Sequence, residues 1–249
     1  MIRVAPKGFF VAGTDTAVGK TRVTAGLIAG FRALQLAAGG MKPVACGLIE
    51  ANGRYFSEDV DMMCRYSGQD PESDAVNPYA FRPPISPHIA AAHAGIAIEL
   101  DAILRSFSAI AADHSPVCVE GAGGWLTPIS ERQTMADIAI ALDLPVLLVV
   151  GLRLGCLNHS LLTGLAIRSA GLPLAGWIAN RIDPDFAESE ANLATLATRL
   201  GSAPLAVLPH SGSLRSALPA LAGAASQLVN AASRPRSRPA ARRRRRRSL

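Results

Sequence analysis

The sequence lacks paired cysteines, long apolar runs and a secretion signal. Its four cysteines are widely spaced and include no C-x-x-C pair, which argues against a disulfide framework and against a zinc site. The apolar run LPVLLVVGL at 144–152 is too short to span a bilayer. The N-terminal residues MIRVAPKGFF contain neither the long apolar region nor the small-residue cleavage site of a secretory signal. These absences predict reduced thiols and a cytoplasmic protein.

Lysine is also scarce. Of the 25 basic residues, only Lys7, Lys20 and Lys42 are lysines, and all the others are arginines. A chain that uses arginine for most positive charges keeps lysine where a compact, flexible ammonium group is needed. This bias makes Lys20 and Lys42 candidates for functional residues.

Positive charge is concentrated at the C-terminus. The formal net charge is +6, but residues 234–249 carry nine arginines and no acid, so that residues 1–233 are mildly acidic. Like charges repel, and this segment has almost nothing apolar to bury, which predicts a disordered tail after a single domain at 1–233. Attraction to nucleic acid or to another anionic surface is the alternative interpretation of such a run.

Apolar segments of two lengths alternate along the chain, of which 49% is hydrophobic. Short apolar runs predict buried strands, and longer segments with a 3.6-residue period predict helices. Their alternation implies an α/β fold, with a doubly wound, mainly parallel sheet covered by helices on both faces. Strands are predicted at 8–13, 41–47, 116–124, 145–151, 173–180 and 204–209, and helices at 20–39, 58–66, 99–114, 134–142, 157–170, 186–200 and 214–232.

The stretch GTDTAVGKT at 13–21 connects the first predicted strand to the first predicted helix. The common phosphate-binding loop is spelled G-x-x-x-x-G-K-[ST], whereas here five residues separate Gly13 from Gly19. Gly19 allows close backbone approach, Lys20 can reach the β- and γ-phosphates, and the Thr21 hydroxyl can bind Mg²⁺. The amides of the following helix attract phosphate. We predict a nucleotide site in a fold of the P-loop NTPase type; a glycine-containing turn with a surface lysine is the alternative.

Two acids and a second lysine complete the candidate site at the carboxyl ends of the strands, where ligands of parallel sheets bind. Glu120 ends the run PVCVE and supplies the hard oxygen that Mg²⁺ prefers. Asp59, Glu58 or Asp61 in SEDVD can supply another carboxylate, unless this acidic cluster only caps a short helix. Lys42 can stabilise charge on a transferring phosphoryl group, unless it is a solvated lysine on an edge strand.

Six stretches closely resemble those of the dethiobiotin synthetases, enzymes of biotin synthesis. They follow the order of the family over about residues 9–180, with a weaker match to about 211, and they are GTDTAVGKT, KPVACG, NPYAFRPPISPH, VEGAGGWLTPIS, GLRLGCLNH and GWIAN. The resemblance implies a ligase that forms C–N bonds, converting 7,8-diaminononanoate, CO₂ and ATP to dethiobiotin, ADP and phosphate through a carbamate and a carbamic-phosphoric anhydride. It also implies Mg²⁺ as cofactor and a homodimer with the substrate site at the subunit interface.

The resemblance also assigns roles to individual residues. Lys42 corresponds to the catalytic lysine of the family, and Thr21, Asp59 and Glu120 correspond to its metal ligands. The residues that would contact ATP are Ala17, Val18, Gly19, Lys20, Thr21, Arg22, Asp59, Glu120, Gly121, Ala122, Gly123, Asn180, Arg181, Pro209, His210 and Ser211. The residues that would contact the other substrate are Thr16, Cys46 and, across the dimer interface, Gly155, Cys156, Leu157 and Asn158.

The sequence departs from the family at three of these positions. Cys46 replaces a hydroxyl residue, Arg181 stands where an Asp often follows the Asn, and His210 stands where a Trp is expected. No acid is present at 212–218 to hold the ribose or the base. These departures concern base selectivity and not the phosphate chemistry.

Three other classes of P-loop protein fit less well. Septum-placing and plasmid-partitioning ATPases carry a signature lysine five residues before the P-loop lysine, where this sequence has Asp15. Cobyrinate-type amidating enzymes need a glutaminase domain, for which the remaining length does not suffice. A nucleotide-binding regulator without chemistry would not need Lys42.

Overall fold

A parallel sheet forms the centre of the protein, whose computed structural model describes residues 7–210 and 213–232. The described residues form ten strands: β1 (Gly8–Gly13), β2 (Gly39–Met41), β3 (Val44–Cys46), β4 (Ile49–Ala51), β5 (Arg54–Phe56), β6 (Tyr79–Phe81), β7 (Val117–Gly124), β8 (Val146–Leu152), β9 (Leu174–Arg181) and β10 (Ala206–Leu208). Six of them pair in parallel in the order β10-β9-β8-β1-β7-β2. Outside this sheet, β3 pairs with β6 in parallel and β4 with β5 in an antiparallel hairpin.

Helices cover both faces of the sheet. In the described part of the chain they are α1 (Lys20–Ala33), α2 (Glu58–Ser67), α3 (Pro87–Ala94), α4 (Leu100–Asp113), α5 (Met135–Leu142), α6 (Cys156–Ser169), α7 (Ser189–Leu200) and α8 (Leu218–Ala232). α1 packs against α2 and α8, α4 against α5, and α6 against α7. Every residue of β8 is buried, which requires cover on both sides of that strand. The predicted α/β class is confirmed, and the apolar side chains form one continuous core.

The first predicted helix, 20–39, is wrong at its C-terminal end. α1 ends at Ala33, and Gln35 turns the chain with a positive φ of 63°. Gly39 and Gly40 do not stop a helix but belong to β2. A Cβ atom at Gly40 would lie 3.0 Å from the Ile28 side chain and 3.1 Å from that of Met63, so glycine lets the strand pass close to α1 and α2.

The predicted strand at 41–47 is also corrected, because it divides into two. β2 ends at Met41 on the edge of the main sheet, and β3 begins at Val44 in the small sheet with β6. Pro43 lies at the break, where it has no N–H to give to a ladder. The structure adds β4, β5, β6 and α3 within 48–94, where the sequence predicted only one short helix.

The remaining predicted elements are present, with ends that differ by a few residues. The predicted tail at 234–249 and the predicted ATP contact Ser211 lie outside the described residues. Among the residues that are described, none of the helices combines the length and the apolarity needed to cross a bilayer.

Candidate active site

The loop predicted to bind phosphate connects β1 to α1 at the carboxyl edge of the sheet. β1 ends at Gly13, where a Cβ atom would lie 2.8 Å from both the Val18 side chain and the main-chain oxygen of Asp15. The displaced first glycine therefore lets the loop fold tightly over the strand end. Gly19 precedes α1 with φ 93°, a left-handed conformation that favours glycine. The first turn of α1 contains no acid, which leaves its amides for an anion.

Asn180 supports this loop from β9. Its side-chain amide donates to the main-chain oxygen of Val18 at 3.0 Å, and its Oδ1 accepts from Arg22 Nη1 at 3.1 Å. Arg22 Nη1 also donates to the main-chain oxygen of Pro209 at 3.1 Å. The Arg22 side chain thus connects the start of α1 to β9 and to the segment after β10. One amide hydrogen and one lone pair of Asn180 remain for a ligand.

Lys20 bridges the loop and the end of β7. Its Nζ donates to the main-chain oxygens of Asp15 at 3.0 Å and of Gly123 at 2.7 Å. Burial and, to a lesser extent, the nearby Lys42 lower the pKa of Lys20, while Glu120 and Asp59 oppose the shift, and the net result is a pKa of about 8. The Lys20 side chain is mainly an ammonium at neutral pH, but it loses its proton at a lower pH than an exposed lysine does.

Thr21, Asp59 and Glu120 come from α1, α2 and β7 and meet beside the loop. Thr21 Oγ1 lies 2.6 Å from Asp59 Oδ1 and 2.9 Å from Glu120 Oε1. The N-cap of α2 is Ser57, whose side chain accepts from the Val60 N–H, so Asp59 is not the cap. The two carboxylates and the hydroxyl form one group of hard oxygen ligands.

Lys42 lies within this group. Its Nζ is 2.7 Å from Asp59 Oδ2, 2.7 Å from Glu120 Oε1 and 3.3 Å from the main-chain oxygen of Gly121. Lys42 is only 4% exposed, so the interpretation as a solvated lysine is wrong. Burial lowers the pKa of Lys42, but Glu120 and Asp59 raise it by more, and the net shift is upward. Lys42 is therefore a firmly charged ammonium.

The oxygen group fits Mg²⁺. Glu120 is 1% exposed, and its Oε2 has no hydrogen-bond partner among the described residues. An unpaired buried carboxylate oxygen is costly, and a cation beside it would satisfy it. The described ranges contain no cluster of three or more His, Cys, Asp and Glu side chains, so the protein offers only part of a coordination shell. This suits Mg²⁺, which binds one or two carboxylates and completes its shell with phosphate oxygens and water.

A cleft of about 730 Å³ opens onto these groups. Its lining includes many predicted site residues, namely Thr16, Ala17, Gly19, Lys20, Thr21, Lys42, Cys46, Asp59, Glu120, Ala122 and Gly123. Cys46 is half-buried, and burial raises the pKa of its thiol although Lys42 opposes the shift. The lining also includes six residues for which no role was predicted: Pro84, Ile85, Ser86, Pro87, Thr127 and Pro128. Four of these six residues lie in the proline-rich stretch PPISP at 83–87, which was the feature of the sequence that could have pointed to them.

Asn77 is a further residue whose position the sequence did not predict. Its Nδ2 donates to the main-chain oxygens of Lys42 at 2.6 Å and of Tyr79 at 3.1 Å. The N–H of Lys42 donates to the main-chain oxygen of Val76 at 2.8 Å. Both sides of the Lys42 backbone are therefore held by residues 76–77, at the break between β2 and β3.

Some predicted residues lie apart from this cleft in the single chain. Four of them form the start of α6 and do not line the cleft: Gly155, Cys156, Leu157 and Asn158. An ion pair between Arg153 and Asp15 connects this loop to the phosphate-binding loop. The Arg181 side chain bonds to Ser189 and Glu190 of α7 rather than to the cleft. His210 Nδ1 lies 3.2 Å from the main-chain oxygen of Arg181.

The parallel sheet, the glycine loop at the start of α1 and the lysine and threonine that follow it define a P-loop nucleotide-binding protein. A family model described as "AAA domain" matches residues 7–217. The chain is 48% identical over 204 residues to the ATP-dependent dethiobiotin synthetase BioD of Nitrosospira multiformis, covering 82% of this chain and 88% of that protein. It is 45% identical to the same enzyme of Aromatoleum aromaticum, covering 82% and 91%. The chain belongs to the dethiobiotin synthetase family.

Solved structures show how widely the fold is shared. The MinD cell division protein of Aquifex aeolicus superposes with a TM-score of 0.58 at 14% identity, covering 90% of this chain and 98% of that chain. A ParA family ATPase of Chlorobium tepidum gives 0.51 at 14% identity, covering 91% and 99%. These likenesses concern the fold alone. In this chain Asp15, five residues before Lys20, pairs with Arg153.

Proposed function

We propose that this chain catalyses the ATP-dependent closure of the ureido ring of dethiobiotin from 7,8-diaminononanoate and CO₂. Family membership supports the reaction. The structural observation that supports the proposal is that Lys20 and Lys42 lie in one cleft with the carboxylates of Asp59 and Glu120. Phosphoryl transfer depends on this kind of preorganised charge.

The reaction proceeds in three bond-forming steps. One amine of the substrate attacks CO₂, forms a C–N bond and loses a proton, which leaves a carbamate. A carbamate oxygen then attacks the γ-phosphorus, the bond to the bridging oxygen breaks, and ADP departs. The second amine attacks the carbonyl carbon of the resulting anhydride and loses a proton, and the C–O bond to phosphate breaks as the ring closes.

Lysine side chains offset the negative charge in the second step. Carbamate and γ-phosphate are both anionic, so their approach is unfavourable without a cation between them. Lys42 supplies that cation from the cleft wall, whereas Lys20 holds the phosphates from the loop. Thr21, Asp59 and Glu120 would hold Mg²⁺, which when bound neutralises charge on the β- and γ-phosphates.

The phosphate loop and its neighbours hold the nucleotide. The amides of residues 17–22 bind the phosphates, residues 121–123 lie along the nucleotide, and Asn180 contributes its remaining amide hydrogen and lone pair to the base. The Arg22 side chain acts indirectly, since it holds Asn180 and Pro209. Because the Arg181 side chain is bonded to α7, we assign only its backbone, with Pro209 and His210, to the base side.

We further propose a homodimer in which α6 of one subunit completes the site of the other. Leu154, Leu162 and Leu165 are 88%, 59% and 58% exposed, an apolar surface at the start and along the side of α6. A second copy covering this surface would bring the residue 155–158 loop, whose amides are at a helix N-terminus, to the carboxylate of the partner's substrate. Thr16 and Cys46 contact the same substrate from within the chain. The four free cysteines support the expectation of a cytoplasmic enzyme.

Turnover of the purified protein tests the proposal. We expect phosphate release that requires both 7,8-diaminononanoate and bicarbonate, together with mass-spectrometric detection of dethiobiotin in equal amount. Omission of the diamine is the matched control, because a simple nucleotide hydrolase would release phosphate at the same rate without it. A rate of phosphate release that is the same with and without the diamine would overturn the proposed reaction.

A further inference from the structure

The carboxylates of the cleft already have a cation between them. Lys42 Nζ lies 2.7 Å from Asp59 Oδ2 and 2.7 Å from Glu120 Oε1. Lys20, by contrast, donates only to main-chain oxygens in the part of the chain that the structure describes. Among the described residues, two carboxylates and two ammonium groups therefore face the same cleft, and their formal charges balance.

This balance works against a divalent cation that arrives alone. Such a cation has to take oxygen ligands away from the Lys42 ammonium and adds two positive charges to a group that is neutral overall and in which Lys20, Lys42 and Glu120 are buried. At separations of a few ångströms and the reduced dielectric of a protein, the repulsion between like charges is much stronger than in water. A triphosphate beside Lys20 supplies the missing negative charge, so metal and nucleotide together are favoured.

We propose that Lys42 makes metal binding depend on nucleotide. Its ammonium occupies the position between Asp59 and Glu120 until a metal arrives with the phosphates, and its displacement frees the side chain to contact the reacting groups. The unpaired Oε2 of Glu120 gives the incoming metal a first ligand that Lys42 does not hold. The inference rests on the proposed metal site but not on the proposed ring closure.

Lys42 and Lys20 offer a matched pair of variants. Lys42→Met and Lys20→Met remove the same charge from the same cleft, but only the first removes a contact with the carboxylates. If net charge alone controlled metal binding, the two variants would behave alike. If Lys42 holds the cation position, only Lys42→Met exposes two carboxylates without a partner cation.

The experiment titrates Mn²⁺ alone into full-length, nucleotide-free protein and follows free Mn²⁺ by electron paramagnetic resonance. We expect weak binding to the wild type, binding at least about tenfold tighter to Lys42→Met, and a much smaller gain in Lys20→Met. Lys42→Arg keeps the charge and should remain as weak as the wild type. Asp59→Asn in the Lys42→Met background should abolish the gain, which locates the metal.

The titrations can contradict the proposal in two ways. Tight Mn²⁺ binding by the nucleotide-free wild type would overturn it, as would equal gains in the two Met variants. If Lys42→Met fails to fold, Lys42→Gln, which keeps a donor toward Glu120, takes its place as the uncharged variant in the comparison with Lys20→Met. No diamine is present, so a failure of the proposed reaction would leave these titrations unchanged.

Discussion

The Asn77 side-chain amide donates to the main-chain oxygen of Lys42 over 2.6 Å. Lys42 precedes Pro43 at the point where the chain leaves the main sheet, so its carbonyl lacks a ladder partner, and Asn77 supplies one. We expect Asn77→Ala to lower kcat by about tenfold or more while the KM for ATP changes little, because a misplaced Lys42 acts on the transferred group and not on the phosphate loop.

Gln69 provides the control for Asn77. Its Oε1 accepts the Gly40 N–H at 2.7 Å, a comparable side-chain bond on the strand that precedes Lys42. Gln69→Ala should lower the melting temperature about as much as Asn77→Ala does while leaving kcat near the wild-type value. Asn77→Asp, which keeps the size but loses the donor, should resemble Asn77→Ala. If kcat falls equally in the Gln69 variant, Asn77 has only a structural role.

Lys42 itself should control the chemical step. Lys42→Met keeps the length and removes the charge, and it should lower kcat by roughly 10²-fold or more. Nucleotide affinity measured in the presence of metal should change much less. Lys42→Arg should rescue kcat poorly, since a broad planar guanidinium does not replace a compact ammonium at the reacting groups. Near-wild-type kcat in Lys42→Met, measured by steady-state kinetics, would place the catalytic role elsewhere.

The lowered pKa of Lys20 predicts a loss of nucleotide affinity in mildly alkaline solution. In the free enzyme this group loses its proton as the pH rises through about 8, and with it the attraction for phosphate. The Kd of a non-hydrolysable ATP analogue should therefore increase above that pH. Lys20→Arg, whose guanidinium keeps its charge, should bind with little change over the same range. Parallel pH profiles for the two proteins would contradict this assignment.

The lowered pKa of Lys20 also predicts how the stability of the protein changes with pH. The unfolded chain keeps the Lys20 proton up to the ordinary pKa of 10.5, whereas the folded chain releases it near 8. The unfolded state therefore binds more protons between these values, so the Lys20 contribution to the free energy of unfolding increases as the pH rises through this window. Subtracting the urea unfolding profile of Lys20→Met from that of the wild type isolates this contribution, and a decrease would show that Lys20 is not desolvated.

Alanine substitutions at Gly19 and Gly155 distinguish the cost of a left-handed backbone from the cost of a steric clash. Both glycines precede a helix with nearly the same φ, 93° and 92°. A Cβ at Gly19 would lie 2.3 Å from Asn180 Nδ2, whereas no atom of the described residues lies within 4 Å of a Cβ at Gly155. Gly155→Ala should cost about 1 kcal/mol of unfolding free energy and Gly19→Ala more than about 2 kcal/mol. Adding Asn180→Ala to Gly19→Ala should be less than additive. If urea unfolding gives the same loss of free energy for both variants, the Asn180 side chain moves away from the added Cβ at no cost.

The exposed face of α6 predicts the behaviour of dimer variants. Leu162→Glu combined with Leu165→Glu should convert a dimer to monomers in sedimentation velocity, because charge is costly in an apolar interface. Ile140→Glu, at an exposed apolar position on α5, is the control and should leave the mass unchanged. The monomeric variant should keep nucleotide binding and lose ring closure. A wild-type protein that sediments as a monomer would contradict the proposed dimer.

The local chemistry of the site could be predicted from the sequence. Gly19, Lys20 and Thr21 are adjacent in the chain, and their roles depend on a turn and a helix start that neighbouring residues specify. The alternation of apolar runs likewise predicted the main sheet, because burial on both faces leaves a continuous apolar signature. Short elements such as β6 and α3 were missed, since a few residues between prolines carry too little periodicity.

The sequence alone determined the fold class, the phosphate-binding loop and the family of this protein, since each depends on residues that lie close together in the chain or recur in a fixed order. The packing of the folded chain is needed to place Lys42 against Asp59 and Glu120, Asn77 against the Lys42 backbone, and the Arg22 side chain against Asn180. Glu120 is 78 positions from Lys42, and Asn180 is 158 positions from Arg22. Contacts over such separations arise from the order of the strands and the packing of helices between them, which no local pattern encodes.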